Sequence, residues 1–193
     1  MAKPARFGSG FEIDLRSLAV FRIGLGLVVL ADLALRAVDL ELFYTDLGIL
    51  PRAAADAAGY LEGRWSVHLW TGSLMGQGTI FAVHAAVAVS LLLGYRSRTS
   101  ALFCWVLLVS LHNRNHLILQ GGDVLLRCLL LWSILLPLGA RWSLDDRHSS
   151  VPASTQPLVT PAGAGLLLQV AFVYWFSVLH KTGVDWNRDA TAV

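Results

Sequence analysis

The chain has 193 residues, 55% of them hydrophobic and only 15% charged, with a formal net charge of +2. A mean hydropathy of +0.60 is far above that of an ordinary soluble domain and points to an integral membrane protein. The small charge, with no block of like sign, argues against electrostatic binding of nucleic acid.

The N-terminal "MAKPARFGSGFEIDLRS" is basic but lacks a small-residue cleavage site after a short apolar run. The run that follows is long enough to stay in the bilayer, so the sequence predicts an anchor rather than a removed signal. A helix crossing the hydrocarbon needs about 20 mostly apolar residues, because backbone polar groups in lipid must be satisfied within the segment. Spans are predicted over 15–38, 79–95, 99–111, 124–140 and 163–179. The fold class is therefore all-α, a polytopic transmembrane helix bundle of about five spans. The third run is short, so it is expected either to extend toward Leu119 or to be partly buried by its neighbours.

Between the first two spans, 39–78 contains "FYTDLGILPR" and "GRWSVHLWTGS". Tyr44, Tyr60 and the two tryptophans suit a segment resting at headgroup level. Between the last two spans, "DDRHSSVPASTQPLVTPAGAG" reads as a flexible connection rich in turn formers. No internal repeat is visible, and a single membrane domain over 1–193 is expected. Cys104 and Cys128 both fall inside predicted spans and read as small apolar residues.

Orientation follows from Lys and Arg in the short connections. Lys3, Arg6, Arg16, Arg96, Arg98, Arg141 and Arg147 would share one side with the N-terminus. Arg52, Arg64, Arg114 and Arg188 fall on the other, diluted by Asp39, Glu41, Asp46, Asp56 and Glu62. The bias places the N-terminus in the cytoplasm and the chain in the cell inner membrane. The segment 39–78, the loop "HNRNHLILQGGD" and the end of the last span then face outward.

Charges inside spans are costly, about 2.5–3.5 kcal/mol each at a helix centre on insertion scales. Asp32 precedes Arg36 by one helical turn, and Asp123 precedes Arg127 likewise, so each couple can pair locally. Arg22 has no such partner in its own span and must find one on another helix or in water. Two readings stand: mutually satisfied ion pairs, or a polar interior cavity. The cluster His112, Asn113, Arg114, Asn115, His116, Gln120, Asp123 and Arg127 is either a solvated hairpin or a group drawn down to membrane depth, which is tolerated only where it is buried in protein or lines water. His112 and His116 stand one turn apart, but no third ligand flanks them, and no metal is expected.

The last span, "FVYWFSVLHKTGVDW", ends on His180 and Lys181 and then meets Asp185 and Trp186. Lys181 is either a snorkelling anchor or an amine in an enclosed apolar recess, where desolvation favours its neutral, basic form.

These stretches, with "FRIGLGLVVLADL", "HNRNHLILQGGDVLLR" and "LPLGARWSLD", resemble the HTTM domain, the membrane domain of vitamin K-dependent γ-carboxylases and their bacterial relatives. The resemblance covers nearly the whole chain in order and spacing. It implies a single HTTM-like domain, the front part of a longer family domain, and a vitamin K hydroquinone or related quinol as cofactor. It also implies a base that deprotonates the quinol, which after reaction with oxygen abstracts a γ-proton from a glutamyl residue that is then carboxylated. By this resemblance Lys181, four residues before Asp185 and Trp186, is the base, and His116 of the Asn115-His116 pair stabilises developing charge. Arg114, Asn115, Asp123, Arg127, Tyr174, His180, Asp185 and Trp186 would line the quinol pocket, with Arg22 and Asp32 as intramembrane polar residues. Partners implied are the lipid bilayer and either a second chain or a further C-terminal region. A non-catalytic membrane assembly module is the alternative reading, and a small transporter a third.

Overall fold

A computed structural model describes residues 11–147 and 158–181. They belong to two compact units, one running from Asp14 to the end of the first described stretch, the other joining 11–13 to 158–181.

In the larger unit, α1 (Leu15–Val38) starts at Asp14, whose side chain accepts the Arg16 amide at 2.7 Å. Its inward residues Leu18, Arg22, Leu25, Val29 and Leu33 recur every three or four positions, one stripe of a helix. They pack on α4 (Leu74–Leu93), which turns Gln77, Phe81, His84, Ala88 and Leu91 inward. The two helices approach closely at Gly26, where a Cβ would stand 2.9 Å from that of Leu92.

α4 ends at Gly94, with φ +72° and an amide bonded back to the Leu91 carbonyl. A Cβ there would meet Ser143 and the Arg22 guanidinium, so conformation and space both require glycine. α5 (Ser97–Arg114) and α6 (Gly121–Leu135) follow through short turns, so chain neighbours run antiparallel. α1 packs on α4, α4 on α5, α5 on α6, and α6 returns to α1, which closes a four-helix ring.

The ring's polarity is inverted relative to a water-soluble bundle. Arg22, Gln77, His84, Ser110, His112, Arg114 and Ser133 are buried, while Val20, Leu27, Val28, Leu35, Val83, Val89, Leu102 and Phe103 face outward. Apolar groups outside and polar groups inside suit a hydrocarbon solvent.

Among the described residues three helices are long and apolar enough to cross a membrane: α1, α4 and α8 of the smaller unit. Of the other two predicted spans, one falls short in length and the other in composition. α6 has 15 residues, about 22 Å at 1.5 Å per residue, and α5 opens on Ser97-Arg98 and closes on His112-Asn113-Arg114. The boundaries also differ from expectation. α4 begins at Leu74 rather than 79, capped by Ser73. α5 stops at Arg114 rather than reaching Leu119, and α6 begins at Gly121 on a capping box between Gln120 and Asp123 and ends at Leu135, five residues before expected.

The segment between α1 and α4 does not simply rest at an interface. It holds α2 (Leu40–Tyr44), α3 (Arg52–Ala57) and a 3-10 turn at Val67–Leu69, and the bundle's polar side chains pin it down. Ser66 donates to the Ser110 carbonyl at 2.6 Å, and Asn113 to the Trp65 carbonyl at 2.9 Å. Tyr44 is fully buried, contrary to a headgroup placement, whereas Trp65 and Trp70 are exposed as expected.

The start of the predicted flexible connection is also ordered. α7 (Leu144–Arg147) carries Asp145, which accepts the Arg96 and Ser97 amides and the Ser97 hydroxyl at 2.7–2.9 Å and so caps α5. These donors and Arg22 hold its carboxyl below the usual range although partial burial opposes the shift.

In the smaller unit, Ile13 and Leu158 exchange both backbone hydrogen bonds. Thr160 caps α8 (Pro161–Leu179) by accepting the Gly163 amide, and Pro161 occupies the first turn, where its missing N–H costs nothing.

Candidate functional site

At one end of the ring, Arg36 in the last turn of α1 gathers acceptors from three elements. Its Nε donates to both oxygens of Asp32 at 2.9 Å, its Nη1 to the Tyr44 hydroxyl at 3.0 Å, and its Nη2 to Asp123 Oδ1 at 2.5 Å. Asp123 Oδ2 in turn accepts the Gln120 amide at 2.7 Å. Beside them His112 of α5 is completely buried, with Nε2 3.8 Å from Asp123 Oδ1 and neither ring nitrogen hydrogen-bonded. One oxygen from each carboxylate and one His112 nitrogen lie within 4.8 Å of one another. The side chains of Asp32, Arg36 and Asp123 keep only 20%, 12% and 11% of their surface, so this polar centre sits well inside the protein.

The expected Asp32–Arg36 pair forms. The expected Asp123–Arg127 pair does not: Asp123 takes Arg36, which is 87 positions away and satisfies two carboxylates at once. Arg22 finds its partners on another element, as its isolation in α1 required. Its guanidinium donates to the carbonyls of Leu138, Arg141 and Trp142, the connection following α6, at 2.7–3.2 Å.

A second polar layer adjoins Tyr44. His68 of the 3-10 turn donates from Nδ1 to Gln77 Oε1 at 2.7 Å, because Gln77 Nε2 is committed to the His68 and Thr71 carbonyls at 2.8 and 2.6 Å. That fixes the neutral tautomer with a bare, buried Nε2. Burial, partly opposed by the Gln77 bond, pushes the imidazole down to about 4. Tyr44 stacks edge-on with Phe81, and burial raises its phenol above the ordinary value against the pull of Arg36.

Other expected pocket residues act as clasps. Arg114 is buried and donates to the Leu50 and Thr45 carbonyls at 3.0 and 3.3 Å; Asn115 donates to the Phe43 carbonyl at 3.0 Å. Both tie the connecting segment to the end of α5 through backbone carbonyls, while Arg114 Nε, also buried, has no hydrogen-bond partner. His116 is half-buried and edge-on to Tyr60 at 4.9 Å, with its pKa lowered by burial and by Arg64. Asp46 binds Arg52 through both carboxylate oxygens at 2.6–3.0 Å, chiefly because of which its pKa is lowered.

In the smaller unit, every residue from Val170 to Lys181 is exposed. Ala171, Tyr174, Trp175 and Val178 share one side of the last turns of α8, and His180 Nδ1 lies 2.9 Å from the Phe176 carbonyl. The enclosed recess expected around Lys181 is therefore not formed by the described residues. Asp185 and Trp186 lie outside them.

Sequence reasoning missed Arg36 as the hub and Tyr44 and His68 as its neighbours. The aromatic and histidine content of the 39–78 segment was visible, but its inward burial was not. For a metal, the sequence offered His112 with His116, whereas the fold sets Asp32 and Asp123 beside His112. No family model matches the sequence, and neither a curated protein nor a solved structure is similar to it.

Proposed function

We propose that the chain is a five-span integral protein of the inner membrane, N-terminus cytoplasmic, that acts on a lipid-soluble quinol in the manner of the vitamin K-dependent γ-carboxylases it resembles. In this reading Lys181 takes the quinol hydroxyl proton and leaves a quinolate able to react with oxygen, with carboxylation of a substrate as the coupled step. The observation that supports it is the end of α8, where the exposed rings of Tyr174 and Trp175 stand within two turns of His180 and Lys181. A quinol dissolved in the same lipid layer can lie along those rings with its hydroxyl at the amine. Displacement of water by the quinol itself would then favour the neutral base.

A second reading is supported by the same exposure. An exposed apolar helix surface also suits a partner chain, which would make the protein an assembly module. Purified protein in lipid nanodiscs, supplied with a reduced naphthoquinone and oxygen, separates the two. Under the first reading Lys181→Ala abolishes oxygen-dependent quinol consumption, and Lys181→Arg does not restore it, because guanidinium stays charged. If both variants consume quinol like the parent, or the parent consumes none, the catalytic reading fails. Loss of a co-purifying membrane subunit on Trp175→Ala, with Lys181→Ala unaffected, is the result the assembly reading requires.

A further inference from the structure

Asp32 and Asp123 share one guanidinium, that of Arg36, and Arg127 of α6 adds a second positive charge that is felt at His112. Charged groups gathered this far inside a protein are costly unless they are paired. Beside them stands His112, completely buried and with no hydrogen bond to either ring nitrogen. A buried imidazole normally has its tautomer fixed by a partner, and one without any is an exception that calls for a cause. This unpartnered ring stands beside the two carboxylates: His112 Nε2 lies 3.8 Å from Asp123 Oδ1, and the three ligand atoms fall within 4.8 Å of one another.

We propose that Asp32, His112 and Asp123 form a binding site for a divalent transition-metal ion. The ion would accept the imidazole lone pair that has no partner and would be held by the two carboxylates beside it.

The donor set indicates the class of ion. Magnesium and calcium prefer oxygen-only shells, while an imidazole with two carboxylates suits zinc, manganese or ferrous iron. Three protein ligands leave a coordination position for water or a substrate oxygen. Ligand atoms around an ion at about 2.1 Å lie roughly 3.0–3.5 Å apart, so closure needs side-chain movements of only about 1 Å. Arg36 does not consume the carboxylates, because each ionised carboxylate offers about four lone-pair sites and Arg36 uses its Nε and Nη2 on them. It acts as the group that orients them. Asp32 keeps 20% of its side-chain surface exposed, which provides a way in. The donors come from α1, α5 and α6, so the ion would also tie the ring together. This inference is independent of the role proposed for Lys181.

The test is metal loading of the full-length protein in detergent. Protein stripped with a chelator is given excess Zn2+, passed through gel filtration, and its bound metal counted per chain. One zinc ion per chain is expected, with affinity lowered at least about 100-fold in His112→Ala and in Asp123→Asn, since even outer-shell partners are worth 10–100-fold. His84→Ala, a buried histidine outside the cluster, should keep its zinc. Wild-type protein that emerges without zinc overturns the proposal. Full retention of zinc by His112→Ala overturns it too. Should that variant fail to fold, X-ray absorption on the zinc-loaded wild type decides: one imidazole among oxygen donors is expected, and none, or two or more, contradicts the assignment.

Discussion

Arg36 shows how a single side chain holds the end of the ring together. Its five N–H donors in a planar fork reach three acceptor side chains that no lysine could serve at once, and removing it would leave two carboxylates buried without their cation. Arg36→Ala should therefore cost about 3–5 kcal/mol, read as a lowered thermal midpoint in detergent, whereas Arg127→Ala, whose expected pairing with Asp123 does not form, should cost little. His68 supplies a pH signature. Its imidazole titrates near 4 in the folded protein and near 6.5 when unfolded, so protons bind preferentially to the unfolded chain. Stability is then fully present above pH 6.5 and is lost as pH falls toward 4, by roughly 2–3 kcal/mol from this residue at pH 4.5. A His68→Gln protein should be less stable at neutral pH but show a flatter decline across that window, and an equal decline in both proteins would contradict the assignment. At this scale, what the sequence revealed was local. Asp32 and Arg36, four apart on one helix, could be paired by spacing, and the isolation of Arg22 forced a distant partner. Asp123 could not be assigned, because its partner lies 87 residues away and a competing arginine sits one turn from it.

Among elements, helix boundaries were legible where capping and hydrophobicity coincide. α1 matches its predicted limits because Asp14 caps its start and Asp39 interrupts its apolar run. α4 and α6 do not, since "LMGQG" and "GGD" look like turn sequences and become helical only through the Ser73 cap, the burial of Gln77 and the Gln120–Asp123 capping box. Tertiary burial there overrides the intrinsic weakness of glycine in helices. The α4–α5 turn is the most constrained joint. Gly94→Ala forces a left-handed alanine, worth about 1–2 kcal/mol, and drives a methyl into Ser143 and the Arg22 guanidinium. It should therefore lose more stability than Gly24→Ala, whose Cβ would meet nothing within 4 Å. Comparing thermal midpoints of the two variants checks this, and equal values would argue against the close packing of Arg22 under the turn.

For the molecule as a whole, composition alone pointed to a membrane, and the outward apolar and inward polar faces of the ring agree. The number of crossings was less legible. Among the described residues three helices have the length and composition to span, while α5 and α6 carry polar ends that a hydropathy window cannot distinguish from ordinary loops. The proposed orientation is testable in a Cys104→Ala, Cys128→Ala background. An Ala53→Cys protein should react with an impermeant maleimide in intact cells, and an Arg98→Cys protein only after permeabilisation; the reverse pattern would invert the topology. The proposed chemistry rests on Lys181, and its most direct test is chemical rescue of Lys181→Ala by small primary amines in the quinol assay. The account predicts an inactive variant whose oxygen-dependent quinol consumption returns with added alkylamine and rises with amine basicity. A Lys181→Ala protein that consumes quinol at the wild-type rate without any amine would contradict it.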